Sequence, residues 1–412
     1  MAILHEKILL DRLYSAIGGA PVRIVLNGQE VGPTDTAPIA TVHVQDRHTL
    51  LALLADSEVG FGDAYADGRI QVDGDLVRLL DVVYESMSQR SPRANWYART
   101  FSKWLEWRQD NSIRGSRNNI HRHYDLGNDF YRLWLDREMV YTCAYFPEPH
   151  ATLERAQTAK MDHVCRKLRL QPGERVVEAG CGWGSLALHM AREYGVAVKA
   201  FNVSREQIEF ARLRAREEGL DGQVEYIEDD YRSVTGKFDV FVSVGMLEHV
   251  GKRHYQELGC VIHNSIGDSG RGFLHFIGRD HQAAFSRWIR KRVFPGAYIP
   301  TLCEALEVLE PRKFAVQDVE NLRQHYAKTL EHWLERYEAS RQQVVSMYDA
   351  AFFRSWQLYL AGSLAAFRKG SLQLFQVLFS GSKCAPIFWT RAPLYTESKA
   401  AVEKQKWTPV MS

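Results

Sequence analysis

Residues 176–184 read VVEAGCGWG, an apolar run that ends in glycines at positions 180, 182 and 184. A β-like run that breaks into spaced glycines and resumes as a helical pattern, here SLALHMAREY, predicts a strand–loop–helix unit. Glycines let the backbone approach a ligand closely, and the first N–H groups of the following helix have no partner within it. The stretch therefore predicts a ligand loop, and two common ligands fit it poorly. A nicotinamide loop calls for G-x-G-x-x-G with an acid about 20 residues further on. Here the loop is G-x-G-x-G and the second strand ends in Asn202. A phosphate-cradling P-loop needs Lys followed by Ser or Thr, and no such pair follows.

Working outward from the loop, strand-like and helix-like stretches alternate. RVVEAG, VAVKAFNV, QVEYIEDD, FDVFVSVG and GFLHFIG read as strands, and SLALHMAREY and SREQIEFARLRAREEG as amphipathic helices. Buried β-rich runs separated by such helices predict an α/β fold with a doubly wound, mostly parallel sheet. After Arg279 the pattern reads as helical only, in AFSRWIRKRVF, LRQHYAKTLEHWLERYEASRQQVV and FFRSWQLYLAGSLAAFRKG, and predicts a lid or substrate subdomain over about residues 281–370. The first 90 or so residues show short β-like runs, a helical stretch and glycine turns, a small α+β domain without internal repeats. The expected organisation is an accessory domain with linker (1–115), a catalytic domain (116–395) and a tail (396–412).

The composition is ordinary for a globular chain of 412 residues: 45% hydrophobic, 25% charged, net charge +2. No global field calls for nucleic acid or an acidic partner, so charge-driven contacts are expected to be local. The cysteines, at 143, 165, 181, 260, 303 and 384, form no C-x-x-C pair, which favours free thiols in a reducing compartment. The N-terminal MAILHEKILLDRL is interrupted by Glu6, Lys7 and Asp11 and reads as an amphipathic helix, not a signal peptide. A cytoplasmic protein, soluble or peripheral, is expected.

With Glu178 in front of its glycines, the loop has the form E-x-G-x-G-x-G, which resembles the first motif of class I S-adenosylmethionine (SAM) methyltransferases. Further stretches narrow the resemblance: HYDLGNDFYRLWLD from His123, YTCAYF from Tyr141, GMLEHVG from Gly245, LHFIG from Leu274, VFPGAYIP from Val293 and HYAKTL from His325. Together, from about Asn118 to Phe379, they resemble the cyclopropane-fatty-acyl-phospholipid synthase family and its mycolic-acid cyclopropane synthase relatives.

That resemblance implies a site, residue by residue. SAM is expected against Tyr141 and Thr142, then along Val176, Val177, Glu178, Ala179, Gly180, Cys181, Gly182, Trp183 and Gly184. Asn202, Val203, Ser204 and Gln207 follow, with Tyr231 and Arg232. Asn202 and Thr142 stand where the family usually has Thr and Ser, and both keep a polar group. The family's chemistry is attack of a cis alkene on the SAM methyl, followed by loss of a proton from that methyl and ring closure. Its base is a bound bicarbonate, and the matching positions are Cys143, Gly245, Glu248, His275, Ile277 and Tyr326. Backbone N–H groups near Cys143 and Ile277, with His275 and Tyr326, are suited to hold an anion. Glu248 is suited either to accept from the bicarbonate hydroxyl or to keep His275 charged. No metal is expected: His121 and His123 are spaced like ligands but lack a third. Cys143, His275 and Glu248 imitate a cysteine-nucleophile triad without its accompanying elbow.

An unsaturated phospholipid in a membrane is the implied partner, reached by peripheral contact, with no nucleic acid involved. Two stretches suit such contact. Tyr97, Phe101, Trp104 and Leu105 lie at helical spacing beside Arg99, Lys103 and Arg108, within a stretch (91–123) of seven basic and two acidic residues. Arg287, Arg290, Lys291 and Arg292 interleave with Trp288, Ile289 and Phe294. The alternative for each is a solvated basic face over buried aromatics. The sequence leaves open ring closure against a methylene- or methyl-branched product, and the oligomeric state, a homodimer included.

Overall fold

Two sheets with a layer of helices between them carry the chain. The computed structural model describes residues 2–88, 126–283, 285–384 and 389–395. The basic–aromatic stretch with Tyr97, Phe101, Trp104 and Leu105, the His121/His123 pair and the C-terminal tail lie outside those residues.

The N-terminal unit runs α1 (Ala2–Ala16), β1 (Val22–Leu26), β2 (Gln29–Val31), β3 (Ala40–Val44), α2 (Arg47–Ala55), α3 (Ser57–Ala66), β4 (Ile70–Gly74) and α4 (Leu76–Ser88), with its strands in the order β2-β1-β3-β4. Strict alternation in β1 and β3 buries Val22, Ile24 and Leu26 and Ala40, Val42 and Val44 on one face, the period-2 pattern of a sheet covered on one side. Asp46 and Asp56 cap α2 and α3 by accepting from Thr49 N–H and Val59 N–H.

The catalytic unit begins its regular part with α5 (Leu153–Leu168). There follow β5 (Arg175–Ala179), α6 (Ser185–Tyr194), β6 (Ala197–Asn202), α7 (Arg205–Glu217), β7 (Val224–Glu228), β8 (Val240–Val244), α8 (Leu247–Val250), α9 (Tyr255–Ile266) and β9 (Arg271–Gly278). Strands β5 to β9 pair in parallel, as their apolar runs and crossover helices predict. The ligand loop leaves the C-terminal end of β5, where β6 and β8 flank it and ligands of doubly wound sheets bind.

The reading of everything beyond Arg279 as helical needs correcting. After α10 (Arg287–Arg292) the chain forms β10 (Ala315–Asn321), then α11 (Arg323–Ala339), α12 (Ala350–Lys369) and β11 (Gln373–Ser380). β10 and β11 extend the sheet antiparallel, giving the order β10-β11-β9-β8-β5-β6-β7. QLFQVLFS is a short apolar run that periodicity cannot tell from buried helix, and AVQDVEN is a polar edge strand. Helix α12 lies against both α11 and the N-terminal α3 and α4, and so forms a wall between the units. Arg354 Nε donates to the carbonyls of Tyr65 and Ala66 at 3.1 and 2.8 Å, and Tyr65 Oη donates to Gln357 Oε1 at 3.0 Å.

Candidate active site

Glycines 180, 182 and 184 all take left-handed φ (+84°, +53° and +85°), so the loop needs them for its path. Their surroundings differ. A Cβ on Gly184 would stand 2.5 Å from Tyr226 Oη, whose hydroxyl donates to the Gly184 carbonyl at 2.7 Å, so this glycine serves packing. A Cβ on Gly182 would meet nothing within 4 Å, because Gly182 lines a cavity of about 960 Å³.

That cavity gathers many of the expected residues: Tyr141, Thr142, Glu178, Gly180, Cys181, Gly182, Trp183, Asn202, Gln207, Gly245, Glu248, Ile277 and Tyr326 all line it. Others stand behind its wall. Val176, Val177 and Ala179 are core residues on the two faces of β5, and Gly184, Val203, Ser204, Tyr231, Arg232, Cys143 and His275 are not among the lining residues. Ser204 caps α7, and Arg232 is held by Asp230 and Glu257. Asn202, expected against SAM, braces the loop: its Nδ2 donates to Gln207 Oε1 at 2.7 Å and to the Gly182 carbonyl at 3.3 Å, and its Oδ1 accepts from Val203 N–H. Gln207 in turn has a buried Nε2 without a partner.

A further part of the wall comes from α5, whose Lys160 lines the cavity within a buried polar stripe of Gln157, Lys160, His163 and Lys167. Gln157 Nε2 donates to the carbonyls of Thr142 and Val140, fixing the segment that presents Tyr141, Thr142 and Cys143. Lys160 Nζ donates to Thr142 Oγ1 at 3.2 Å. Burial pushes the Lys160 ammonium down to about 8, against the pull of Asp136 and other acidic groups. Burial likewise pushes the Glu178 carboxyl up to about 8, opposed by Lys160, and its Oε2 has no partner. The sequence reading missed Lys160 and Gln157 because polar residues on an amphipathic helix normally mark its solvent face.

Where β8 and β9 end, a single helical turn, Leu247–Val250, brings Glu248 to the cavity. Its Oε1 accepts from Ile277 N–H at 2.7 Å and its Oε2 is buried without a partner. Burial raises this carboxyl to about 7, with the Ile277 N–H opposing. The Ile277 N–H, expected to hold an anion, is thus already engaged by Glu248. His275 is 2% exposed, and burial holds its pKa well below the usual range. It is therefore neutral, which removes the alternative that Glu248 keeps it charged. Gln376 Nε2 lies 3.2 Å from His275 Nδ1, and an amide N–H there makes Nδ1 the acceptor and Nε2 the protonated nitrogen, buried and without a hydrogen-bond partner. Gly245 N–H donates to the His275 carbonyl at 2.8 Å. The Cys143 thiol is wholly buried against the Ala144 and Leu322 carbonyls, and burial pushes its pKa up, so it is no nucleophile. His249, which the sequence reading passed over, also lines the cavity, and burial pushes it down to about 4.

From this polar junction the cavity continues as an apolar tube. Leu330, Leu358, Ala366 and Phe367 line it from α11 and α12, and Val22, Ile24, Val42, Leu53, Leu79, Leu80 and Val83 from the N-terminal unit. No sequence signal connected the two units. The basic stretch around α10 is partly a clasp between them: Trp288 is 4% exposed, its Nε1 donates to Asp63 Oδ1, and a Cβ on Gly62 would fall 2.4 Å from its ring. Arg287 pairs with Asp56 at 2.6 Å and Arg292 with Asp63 at 2.8 Å. Trp288 is therefore buried in this clasp, while the side chains of Arg287 and Arg292 stay half exposed beside Arg290 and Lys291.

The sequence profile of the mycolic acid cyclopropane synthetase family matches residues 111–377. The chain belongs to that family. This family member is 35% identical over 394 residues to a probable fatty acid methyltransferase of Pseudomonas putida, covering 91% of this chain and 96% of the relative. It is 34% identical over 348 residues to the cyclopropane-fatty-acyl-phospholipid synthase of Escherichia coli K12, covering 83% and 88%. Its fold matches the crystal structure of mycolic acid cyclopropane synthase CmaA1 complexed with SAH and CTAB, with a TM-score of 0.61 and 29% identity over 64% of this chain and 97% of that one. The synthetase-family chain is a SAM-dependent methyltransferase. Among its described residues no helix is long and apolar enough to cross a membrane, and no group of three or more His, Cys, Asp or Glu is placed to hold a metal.

Proposed function

We propose that the enzyme transfers a methylene group from SAM to the cis double bond of unsaturated phospholipid acyl chains, forming a cyclopropane ring, with bicarbonate as the base. The observation that carries this reading is the cavity itself: one continuous space joins the glycine loop to an apolar tube, with Glu248 and Tyr326 lining it too. The tube suits an acyl chain because its wall is aliphatic and aromatic, so transfer of the chain from a bilayer loses little solvation.

SAM fits the loop end, where Glu178 Oε2 and Gln207 Nε2 are buried polar atoms without partners. When bound, it supplies an electrophilic methyl on a sulfonium. Bicarbonate suits the Glu248 end of the cavity, where Oε2 is buried without a partner and able to accept, with the unmatched His275 Nε2 as a donor behind that wall. When bound, it supplies a base for the proton that the transferred methyl must lose. The chain's own residues do the rest. Neutral His275 donates through Nε2, held in that tautomer by Gln376. Glu248, near 7 and fixed by Ile277 N–H, is poised to take or hold a proton at Oε2. The apolar walls exclude water, which protects a developing carbocation from capture.

The work would take place at the cytoplasmic face of a membrane, with Arg290 and Lys291 as candidate contacts to anionic headgroups. The similarity to a fatty acid methyltransferase favours a second reading, in which the proton leaves from another carbon and a branched chain results. Purified enzyme with SAM and unsaturated phospholipid vesicles, in carbonate-free buffer and again with added bicarbonate, tests both readings. The expected product is a cyclopropane chain by mass spectrometry after derivatisation, formed faster with bicarbonate. A methylene-branched product refutes ring closure, and full turnover without carbonate refutes the assigned base.

A further inference from the structure

Lys160 is 2% exposed, yet it lines the cofactor end of the cavity and forms no ion pair among the described residues. Its one hydrogen bond is to Thr142 Oγ1, at 3.2 Å, so two ammonium protons are unmatched. A buried ammonium with two unmatched protons carries a heavy desolvation cost, only partly offset by the pull of Asp136, which a protein retains where a ligand supplies the missing charge. The bond also sets the direction of the Thr142 hydroxyl. Since the ammonium can only donate, Thr142 Oγ1 accepts from it, and the hydroxyl hydrogen is left to be donated to something else.

Glu178 supplies the complement. It is 2% exposed, lines the same cavity, feels Lys160 through space and keeps Oε2 unmatched. A buried ammonium and a buried carboxyl that share a cavity wall without pairing suit a zwitterion. The amino-acid end of SAM is one, an α-ammonium beside an α-carboxylate. Lys160 also lies on α5, the helix just before β5, and lines the same cavity as the glycine loop.

We propose that Lys160, together with the hydroxyl it orients on Thr142, binds the α-carboxylate of SAM, while Glu178 faces the α-ammonium. The proposal rests on SAM occupying the loop end of the cavity. It gives a polar stripe on α5 a ligand role and explains why a lysine is tolerated in so dry a place.

Calorimetry with SAM and with decarboxylated SAM, which keeps the sulfonium and the ammonium and lacks only the carboxylate, tests it on the full chain. The parent should bind SAM at least ten-fold more tightly than the decarboxylated compound. Lys160→Met should lose most of that preference while binding decarboxylated SAM as the parent does. Thr142→Val, a near-isosteric change, should lose part of the preference, and it carries the test if Lys160→Met fails to fold. An unchanged preference in both folded variants overturns the proposal. So does an unchanged preference in Lys160→Met whose slow turnover is restored by extra bicarbonate, since that assigns the lysine to the other anion. A parent that binds neither compound refutes the placement of SAM itself.

Discussion

Replacing Glu248 by Gln separates the two things that this carboxylate does. The side chain keeps its shape, and its carbonyl oxygen can still accept from Ile277 N–H, so the local fold is retained. What is lost is the ability to ionise. In the folded protein burial raises this group from 4.5 to about 7. A carboxyl whose pKa is raised on folding binds its proton more tightly in the native state, so its contribution favours the native state below pH 4.5. That contribution is lost as the pH climbs through about 7, and is constant above it. A rise of between two and three pKa units corresponds to about 3 kcal/mol. The gap in unfolding free energy between Glu248→Gln and the parent should therefore move in the variant's favour by up to about 3 kcal/mol between pH 5 and pH 8. Denaturant unfolding of both proteins at several pH values in that range, without SAM or lipid, measures it. Turnover on unsaturated vesicles should fall by about 10²-fold, the scale of a positioned acid–base group, while SAM affinity stays near that of the parent. Parallel pH–stability curves would refute the buried, proton-holding carboxylate, and near-normal turnover would refute its role in the chemistry.

Three further changes probe other parts of the site. Gly182→Val should abolish SAM binding in a folded protein, since the added side chain enters open cavity space and the left-handed φ of +53° adds strain of roughly 1–2 kcal/mol; unchanged affinity by calorimetry would take the loop out of the site. Val83→Phe, at the N-terminal wall of the tube, should slow turnover on long acyl chains more than on short ones with SAM affinity unchanged, and equal slowing on both would dissociate this wall from the acyl chain. Reversing Arg290 and Lys291 to Glu should weaken co-sedimentation with anionic vesicles, at about 1 kcal/mol per charge near the surface, and salt should weaken the parent in the same way; insensitivity to both would leave α10 with its clasp role alone.

The parallel part of the sheet was legible because two signals coincide there. β5, β6 and β8 are short, mostly apolar runs, β7 alternates buried and exposed positions, and the stretches between them carry helical periodicity or turn residues. The antiparallel extension was not, for a physical reason. β10 earns its place through pairing with β11 and exposes most of its side chains, so its sequence carries no hydrophobic pattern. β11 follows the 20 residues of α12 and is apolar on both faces, which periodicity alone reads equally well as more buried helix. Its consequence reaches the site, since Gln376, the partner of His275, lies on this strand.

The site divides along a similar line. Cavity-lining residues of the glycine loop, Glu178, Gly180 and Gly182, could be read locally, and so could the cavity-lining Glu248, Ile277 and Tyr326 through the resemblance of their motifs. Residues that act by facing inward from a distant element could not. Lys160 and Gln157 lie on a helix whose polar positions look like a solvent face until the fold turns that face against the 139–143 segment. Ile24, Val42, Leu79 and Val83 follow patterns that predict burial but not the partner that buries them. Only the placement of α12 between the two sheets makes the N-terminal residues and the glycine loop walls of one space. That placement also bears on the chemistry. Burial raises the Glu248 carboxyl to about 7, and the cavity that it lines continues into the N-terminal unit. Changes that loosen the Trp288 clasp should therefore lower the Glu248 pKa as well as stability. For Trp288→Ala the expected signature is a loss of about 3–5 kcal/mol together with an activity profile shifted to lower pH, whereas a loss of stability with an unshifted profile would show that the two units are joined mechanically but not electrostatically.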